Sequence, residues 1–263
     1  MKWTLKNLRA VRPWHSRGRF IYHKNLDRRI WTDGMVMREL VSNALQIATW
    51  GYIASMQKMG FPLSDDAIHD IFIHGSTANY YYDDTSDIDI CIVADLSGMR
   101  AAFPGVDLYT LMKSALGSWR RNYRVRICGR GVDFEIVDIN DVPRFGPNAY
   151  KVGGMYSIMR DEWIRPTIRL RDDQIRTIRR DARHEFRQIY RMYRKIVRDG
   201  MAPDFIETFL ARLTTQRRQT FYDSPAQPVS ARTMAFRMAR RCGIVRDLRE
   251  RAIWHRSKNF NLD

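Results

Sequence analysis

A strand-like run in which aspartate alternates with isoleucine, Asp87-Ile88-Asp89-Ile90, constrains this chain more than any other segment. In an extended strand, residues two apart point to the same face, so Asp87 and Asp89 project side by side while Ile88 and Ile90 face a core. Two adjacent carboxylates beside a core repel each other unless a cation joins them. The run therefore predicts a half-buried strand whose polar face binds a cation.

A hard divalent cation, Mg²⁺ or Mn²⁺, meets this need, because proteins commonly bind Mg²⁺ through one or two carboxylates together with substrate phosphates. Gly75-Ser76 follows the apolar run at 71–74, and ten residues separate it from Asp87. A glycine lets a phosphate approach the backbone closely, and a serine hydroxyl at the start of a helical turn offers a donor. The two motifs together predict a phosphate site next to a metal site.

A third acid is expected from a neighbouring strand, and the run Val132-Asp133-Phe134-Glu135-Ile136 contains two candidates. Asp133 and Glu135 share one face of that strand, and the pattern leaves open which of them reaches the metal. Two metals on a shared set of carboxylates can activate an attacking hydroxyl and stabilise a leaving pyrophosphate. The three acids therefore point to phosphoryl-group chemistry.

These motifs resemble the nucleotidyltransferase superfamily typified by DNA polymerase beta, poly(A) polymerases, CCA-adding enzymes and terminal uridylyltransferases. The family pattern is a hydrophobic strand, Gly-Ser or Gly-Gly, roughly ten residues, Asp-x-Asp in a strand and a further Asp on a later strand. The match covers about residues 35–140. The resemblance implies that Asp87 and Asp89 bind both metals. It also implies that Asp133 binds the catalytic metal and helps to deprotonate the acceptor hydroxyl, and that Gly75 and Ser76 hold the triphosphate.

Aromatic residues near these motifs have structural and functional interpretations. His74 is expected to be a strand-end histidine with its hydrogen bonds satisfied rather than a catalytic base. At least two of the three tyrosines at 80–82 are expected to pack within the fold. Tyr156 is the candidate for stacking on a nucleotide base, because it opens the second half of the chain after Gly153-Gly154.

The charge of the chain is unevenly distributed. The 263 residues contain 45 Lys and Arg against 29 Asp and Glu, a formal net charge of +16. Residues 151–263 contain 26 basic and 13 acidic residues, a net charge of +13, which leaves +3 for residues 1–150. We therefore predict a basic arm over 1–30, a catalytic domain over 31–150 and an Arg-rich nucleic-acid-binding domain over 151–263.

The hydrophobic pattern predicts an α+β protein in which a mixed sheet with helices is followed by a mostly helical basic domain. The resemblance implies that the mixed sheet is nucleotidyltransferase-like. The first part has expected helices at 35–59 and 107–120, strands at 71–74 and 87–93, and a hairpin over 123–138. Expected helices of the second part span 172–198, 204–220 and 230–252.

The long helix expected over 172–198 has arginines at steps of three or four: Arg176, Arg180, Arg183, Arg187, Arg191, Arg194 and Arg198. One interpretation is that the stripe is simply a solvent-exposed face of the helix, in which Asp181 and Glu185 pair with some of the arginines. A stripe of arginine without lysine favours contacts with phosphate over mere solubility. We therefore expect it to bind the backbone of RNA or DNA.

The cysteine and hydropathy patterns bear on the cellular compartment in which the protein is expected. Three scattered cysteines without a CxxC pair disfavour a disulfide framework and a structural zinc site. With no membrane-length apolar run and no apolar signal core, a cytoplasmic protein is expected, and its compact Arg-rich chain would suit a virus or phage. Residues 1–25 contain seven basic residues and no acid, which fits a mitochondrial transit peptide or an arm that touches nucleic acid; their aromatic content favours the arm.

Together these features predict a template-independent nucleotidyltransferase that adds nucleotides from a nucleoside triphosphate to an RNA 3′-hydroxyl by a two-metal mechanism. Two alternatives stay open. The enzyme could modify a protein or a small molecule, as toxin-like and antibiotic-modifying nucleotidyltransferases do. The chain could also be a catalytically inactive nucleic-acid-binding subunit.

Overall fold

The structure is a computed structural model that describes residues 19–141, 153–223 and 229–258. The chain divides into two compact units: Tyr22–Arg169, and Leu170–Asp263 together with Met1–Ile21. The boundary falls at 169/170 rather than at the expected 150, because residues 155–165 add two strands to the sheet of the first unit. Residues 22–30, expected to belong to a basic arm, are part of the same unit, and the first 18 residues lie outside the described ranges.

The first unit is α+β. Its described helices and strands are α1 (Glu39–Lys58), β1 (Ile68–His74), β2 (Ile88–Ala94), α2 (Ser97–Ala102), α3 (Leu108–Asn122), β3 (Arg126–Ile127), β4 (Arg130–Asp138), β5 (Met155–Ser157) and β6 (Glu162–Arg165). The helices, strands and hairpin expected before residue 140 are confirmed to within a few residues. No sequence pattern predicts α2, β5 and β6, because these elements are too short for a clear periodicity.

The sheet is mixed and its described strands run in the order β3-β4-β2-β1-β5-β6. Strands β2 and β4 are parallel, and the other neighbouring pairs are antiparallel. The register sets Ile88 opposite Val132 and Ile90 opposite Phe134, and all four side chains are buried in the core. The expectation that Ile88 and Ile90 face a core is therefore confirmed.

The core on this face of the sheet is closed by α1 and α3. The ring of Tyr52 on α1 stacks on Phe134 at 4.9 Å and meets Trp119 of α3 edge-on at 5.3 Å. Burial of one such large side chain contributes about 1.5–3 kcal/mol. With both helices on one face of the sheet, the other face keeps the odd-numbered residues of β2 and β4, including Asp89 and Asp133.

The second unit is helical where it is described. It consists of α4 (Asp172–Asp199), α5 (Pro203–Asp223), α6 (Ala231–Arg241) and α7 (Ile244–Lys258). The single helix expected over 230–252 is two helices, because Gly243 adopts a left-handed φ of 83° that interrupts the α-helical path. Among the described helices of the chain, none combines the length and hydropathy that a membrane span requires.

A polar triad of the buried Tyr193 and Asp247 with the partly buried Arg251 joins α4 to α7. The Tyr193 hydroxyl donates to Asp247 Oδ2 at 2.9 Å, and Arg251 Nε donates to the same oxygen at 2.8 Å. Burial and the neighbouring Asp247 carboxylate raise the pKa of Tyr193 well above its usual range. The phenol therefore stays neutral and acts as a donor to the carboxylate in the folded state.

We expect Tyr193→Phe to lower the free energy of unfolding by about 1–2 kcal/mol, because it removes a hydrogen bond to a buried carboxylate. Since the folded-state pKa of Tyr193 is raised, the wild-type contribution is complete below a pH of about 10 and falls as the pH rises above it. Urea unfolding followed by circular dichroism at several pH values measures both effects. Tyr190→Phe, on the same helix, is the control, and equal losses for the two variants would contradict the prediction.

Candidate active site

The sheet register brings the expected site acids together on one face. Asp89 on β2 lies opposite Asp133 on β4, and His74 at the end of β1 lies opposite Asp89. Neighbouring strands are about 4.8 Å apart, so opposed side chains on one face are close neighbours. Asp87 precedes Asp89 by two residues, and its Oδ1 lies 3.3 Å from the position that a Cβ on Gly131 would occupy.

Gly75 begins the 3-10 turn Gly75–Ala78, directly after β1. Its φ of +72° lies in the left-handed region, which glycine adopts without strain. A Cβ at this position would lie 3.0 Å from Asp89 Cγ and would collide with the carboxylate oxygen. The expected phosphate-binding glycine and the expected metal-binding acid are therefore in direct contact.

Ser76 is buried, and its hydroxyl donates to Ser86 Oγ at 3.0 Å. The Ser86 oxygen also accepts from the backbone N–H of Asp83 at 2.9 Å. These bonds join the start of the loop between the two motifs to its end. The Ser76 hydroxyl thus bonds to another residue of the same loop. The expected contact between Ser76 and a triphosphate stays a prediction.

Asn79 holds the Gly75 turn in place from inside the protein. Its buried amide donates to the Gly75 carbonyl at 2.5 Å and accepts from Gly154 N at 2.9 Å and from Thr167 Oγ1 at 2.8 Å. A Cβ on Gly153 would lie 2.5 Å from Asn79 Oδ1. Gly153 therefore makes room for Asn79, whereas a Cβ on Gly154 would collide with the Ala78 carbonyl and with Trp163.

The expectation that Tyr156 stacks on a base is wrong. The side chain is 1% exposed, and its ring meets Trp31 at 5.1 Å and Trp163 at 5.3 Å, both edge-on. Its hydroxyl donates to Asp161, and burial together with that bond raises the pKa of Tyr156 to about 12. A ring enclosed in the core offers no face to a nucleotide.

The tyrosines between the two motifs are structural, as expected for at least two of them. Tyr80 and Tyr81 are buried. The ring of Tyr82 stacks on His23, with 3.9 Å between centroids and 10° between planes. His74 is half-buried beside Phe72, and its role as a strand-end histidine rather than a base stays a prediction.

The register places the two acids of β4 differently relative to Asp89. Asp133 lies opposite Asp89, whereas Glu135 lies opposite Cys91, one pleat further along. Glu135 lines a cleft of about 670 Å³ together with Phe103 and Tyr109. Asp133 is therefore the acid of β4 that stands next to the Asp-x-Asp pair.

Arg120 of α3 forms an ion pair with Asp133, and each side chain is 42% exposed. Within the described residues, no group of three or more His, Cys, Asp or Glu side chains is arranged to hold a metal ion. Carboxylates are ligands that divalent cations commonly use, and these acids share one face of the sheet, so the binding of a cation by them stays a prediction. A cation that used Asp133 would have to displace the Arg120 guanidinium.

A buried ion pair that no sequence motif predicts joins Asp27 to Arg130. Asp27 accepts from Arg130 and from the more exposed Arg29. Burial acts to raise the pKa of Asp27, but the hydrogen bonds from both arginines outweigh it and hold the pKa below its usual value. Neither Asp27 nor Arg130 belongs to a spaced motif, so only their approach in the fold could reveal the pair.

The arginine stripe is exposed along α4, on the face opposite the apolar residues that are buried in the helical unit. Arg180 of the stripe pairs with Asp181 at 2.9 Å, and Arg198 pairs with Asp199 at 2.7 Å. A groove of about 600 Å³ on this helix is lined by Arg191, Tyr193, Arg194, Lys195, Val197 and Arg198. The exposure of the stripe is confirmed, and its binding to nucleic acid stays a prediction.

Comparison of the chain with protein-family models, with curated proteins and with solved structures finds no match. A functional interpretation therefore depends on the residues and on their geometry.

We expect Gly75→Ala to weaken Mn²⁺ binding by at least about tenfold, because the added Cβ would push the Asp89 carboxylate out of place. Titration with Mn²⁺, followed by electron paramagnetic resonance of the free ion, measures the affinity. Gly60→Ala is the matched control, because Gly60 also has a left-handed φ, of +89°, but no atom within 4 Å of the added Cβ. Equal affinity in the two variants would contradict the role given to Gly75.

Proposed function

We propose that this protein is a nucleotidyltransferase that transfers a nucleotide from a nucleoside triphosphate to an RNA 3′-hydroxyl without a template. One observation carries the proposal: Asp89 lies opposite Asp133, with its carboxylate against Gly75 and with Asp87 two residues away on the same face. A triphosphate seated on the Gly75–Ala78 turn would have these carboxylates beside it. This is the arrangement of acids and phosphate that nucleotidyl transfer needs.

In the proposed reaction, the acceptor 3′-oxygen forms a bond to the α-phosphorus. The bond from that phosphorus to the oxygen bridging to the β-phosphate breaks, and pyrophosphate leaves with the electron pair. Asp133, the acid of the neighbouring strand opposite Asp89, accepts the proton of the attacking hydroxyl. A divalent cation bound at the carboxylates would neutralise phosphate charge and favour the ionised hydroxyl.

RNA is the proposed acceptor because of the charge of the helical unit. Its arginines are exposed on one face of α4, and the adjoining groove is lined by Arg191, Arg194, Lys195 and Arg198. Arginine forks bind phosphate oxygens in pairs, and a stripe of them can follow a nucleic-acid backbone. An acceptor without phosphates would leave this surface without a role.

We expect Asp87→Asn and Asp89→Asn each to reduce nucleotide transfer by at least about 100-fold while the protein stays folded, because each removes a carboxylate of the site and little volume. The assay combines the protein, each labelled nucleoside triphosphate in turn, Mg²⁺ or Mn²⁺ and short RNAs, and follows 3′ extension on gels. Circular dichroism checks the fold of each variant.

Asp84→Asn is the matched control for these variants. Asp84 is an exposed acid in the same loop, three residues before Asp87, so its replacement changes the charge of the loop by the same amount. Wild-type activity in Asp87→Asn or Asp89→Asn would overturn the assignment of the site. Transfer of label to a protein or to a small hydroxylated compound, but never to RNA, would show that RNA is not the acceptor, while the proposed nucleotidyl-transfer reaction would stand.

We expect the triple variant Arg183→Ala/Arg191→Ala/Arg194→Ala to bind RNA more weakly and with a smaller dependence on salt. Loss of three phosphate contacts should reduce the slope of log K against log salt concentration by about 2, at about 0.7 per contact for a single strand. Fluorescence anisotropy of a labelled RNA at several salt concentrations measures both quantities.

The control for the stripe is Arg246→Ala/Arg249→Ala/Arg256→Ala, three exposed arginines of α7 whose loss changes the net charge equally. Arg256 is paired with Glu207 at 2.6 Å and Arg246 with Glu250 at 3.8 Å. We expect a smaller loss of affinity from this variant. If both triple variants lose the same affinity and the same slope, the stripe is not the binding surface.

A further inference from the structure

We propose that Arg130 is a positioning residue of the candidate active site, which fixes the start of β2 and thereby the Asp87 and Asp89 carboxylates. This inference rests on the proposed function for its meaning in catalysis. Its structural part concerns only how the loop before β2 is held, and that part can be tested without any assay of transfer.

Four hydrogen bonds connect Arg130, the first residue of β4, to two other parts of the first unit. Its Nη1 donates to the carbonyls of Asp83 at 2.6 Å and of Ser86 at 2.8 Å. Its Nε and Nη2 donate to Asp27 Oδ2 at 3.0 Å and 2.6 Å. The guanidinium therefore joins the segment before α1, the loop between the two motifs and the first residue of β4.

The Ser86 carbonyl is the last acceptor before Asp87, and the peptide bond that contains it also contains the amide of Asp87. On the other strand, Arg130 immediately precedes Gly131, against which the Asp87 carboxylate lies. The side chain of Arg130 thus acts on the residue before Asp87, and its backbone leads into the residue beside Asp87. A movement of the guanidinium would therefore shift Asp87 both through the Ser86 carbonyl before β2 and through Gly131 on β4.

The planar fork of arginine suits this position, because it can point donors at two carbonyls and one carboxylate at the same time. Arg130 is 2% exposed and Asp27 is 5% exposed, so the charges are screened little by water. The ring of Tyr82 lies 5.7 Å from the guanidinium carbon. A lysine has one charged nitrogen and cannot reach all three acceptors in this geometry.

A second ion pair of the same unit provides a comparison. Arg160 donates to the buried Asp70 of β1, whose carboxylate also accepts from the Ser157 hydroxyl at 2.6 Å. Asp70 lies four residues before His74, near the opposite end of β1 from the candidate site. Loss of Arg160 should therefore affect stability without moving the three acids.

The test compares Arg130→Gln and Arg130→Lys with Arg160→Gln in the full chain. The readouts are hydrogen exchange of the peptide over 83–89, Mn²⁺ affinity, kcat and KM for nucleotide transfer, and Tm. We expect both Arg130 variants to exchange faster over 83–89 and to show Mn²⁺ affinity and kcat reduced by about tenfold or more. Arg160→Gln should lower Tm without these changes.

Faster exchange confined to regions outside 83–89, or equal kcat and Mn²⁺ affinity in the Arg130 and Arg160 variants, would overturn the proposal. If Arg130→Gln fails to fold, Arg130→Lys and Asp27→Asn decide the matter, since Asp27→Asn leaves both carbonyl bonds of Arg130 in place and should give a smaller effect. If the wild-type protein transfers no nucleotide, that result contradicts the proposed function. The exchange over 83–89 would still decide whether Arg130 holds the loop.

Discussion

The parallel pairing of β2 with β4 is the constraint on which the rest of the candidate site depends. Its register places Asp89 opposite Asp133, and it does so because Ile88, Ile90, Val132 and Phe134 must all face the same core. A slip of one residue on either strand would bury a carboxylate and expose an isoleucine or phenylalanine. The hydrophobic core and the placement of the acids are therefore two consequences of one register.

The loop between the two motifs shows how a polar segment can be held inside a small domain. Asn79 satisfies the Gly75 carbonyl at its start, Ser86 joins its two ends, and Arg130 satisfies the carbonyls of Asp83 and Ser86 at its end. Buried polar groups without partners are costly, so each of these bonds contributes by avoiding that penalty. The same bonds hold Gly75 and Asp87 in place relative to each other.

The expected elements were correct where periodicity was strong and wrong where it was weak. The alternation in β2 and the apolar stripe of α4 predicted both elements, because side-chain direction repeats with a fixed period in strands and helices. The role expected for Tyr156 was wrong because a lone aromatic residue after a glycine pair has no periodic pattern that could place it. The same short segment forms β5, which the pattern did not predict, and the boundary between the two units therefore lies later, at 169/170. Gly243 divided the last helix, and its left-handed φ could not be read from the helical pattern.

The sequence by itself determined which residues could share a face: Asp87 with Asp89, Asp133 with Glu135, and the arginines of α4 with one another. These relations are local, and the geometry of a single strand or helix sets them. Only the tertiary structure decided that Asp133 rather than Glu135 stands beside Asp89, that Arg120 pairs with Asp133 and that Arg130 joins Asp27 to the motif loop. Those contacts join residues far apart in the chain, and packing of the whole core, not local periodicity, sets the distances between them.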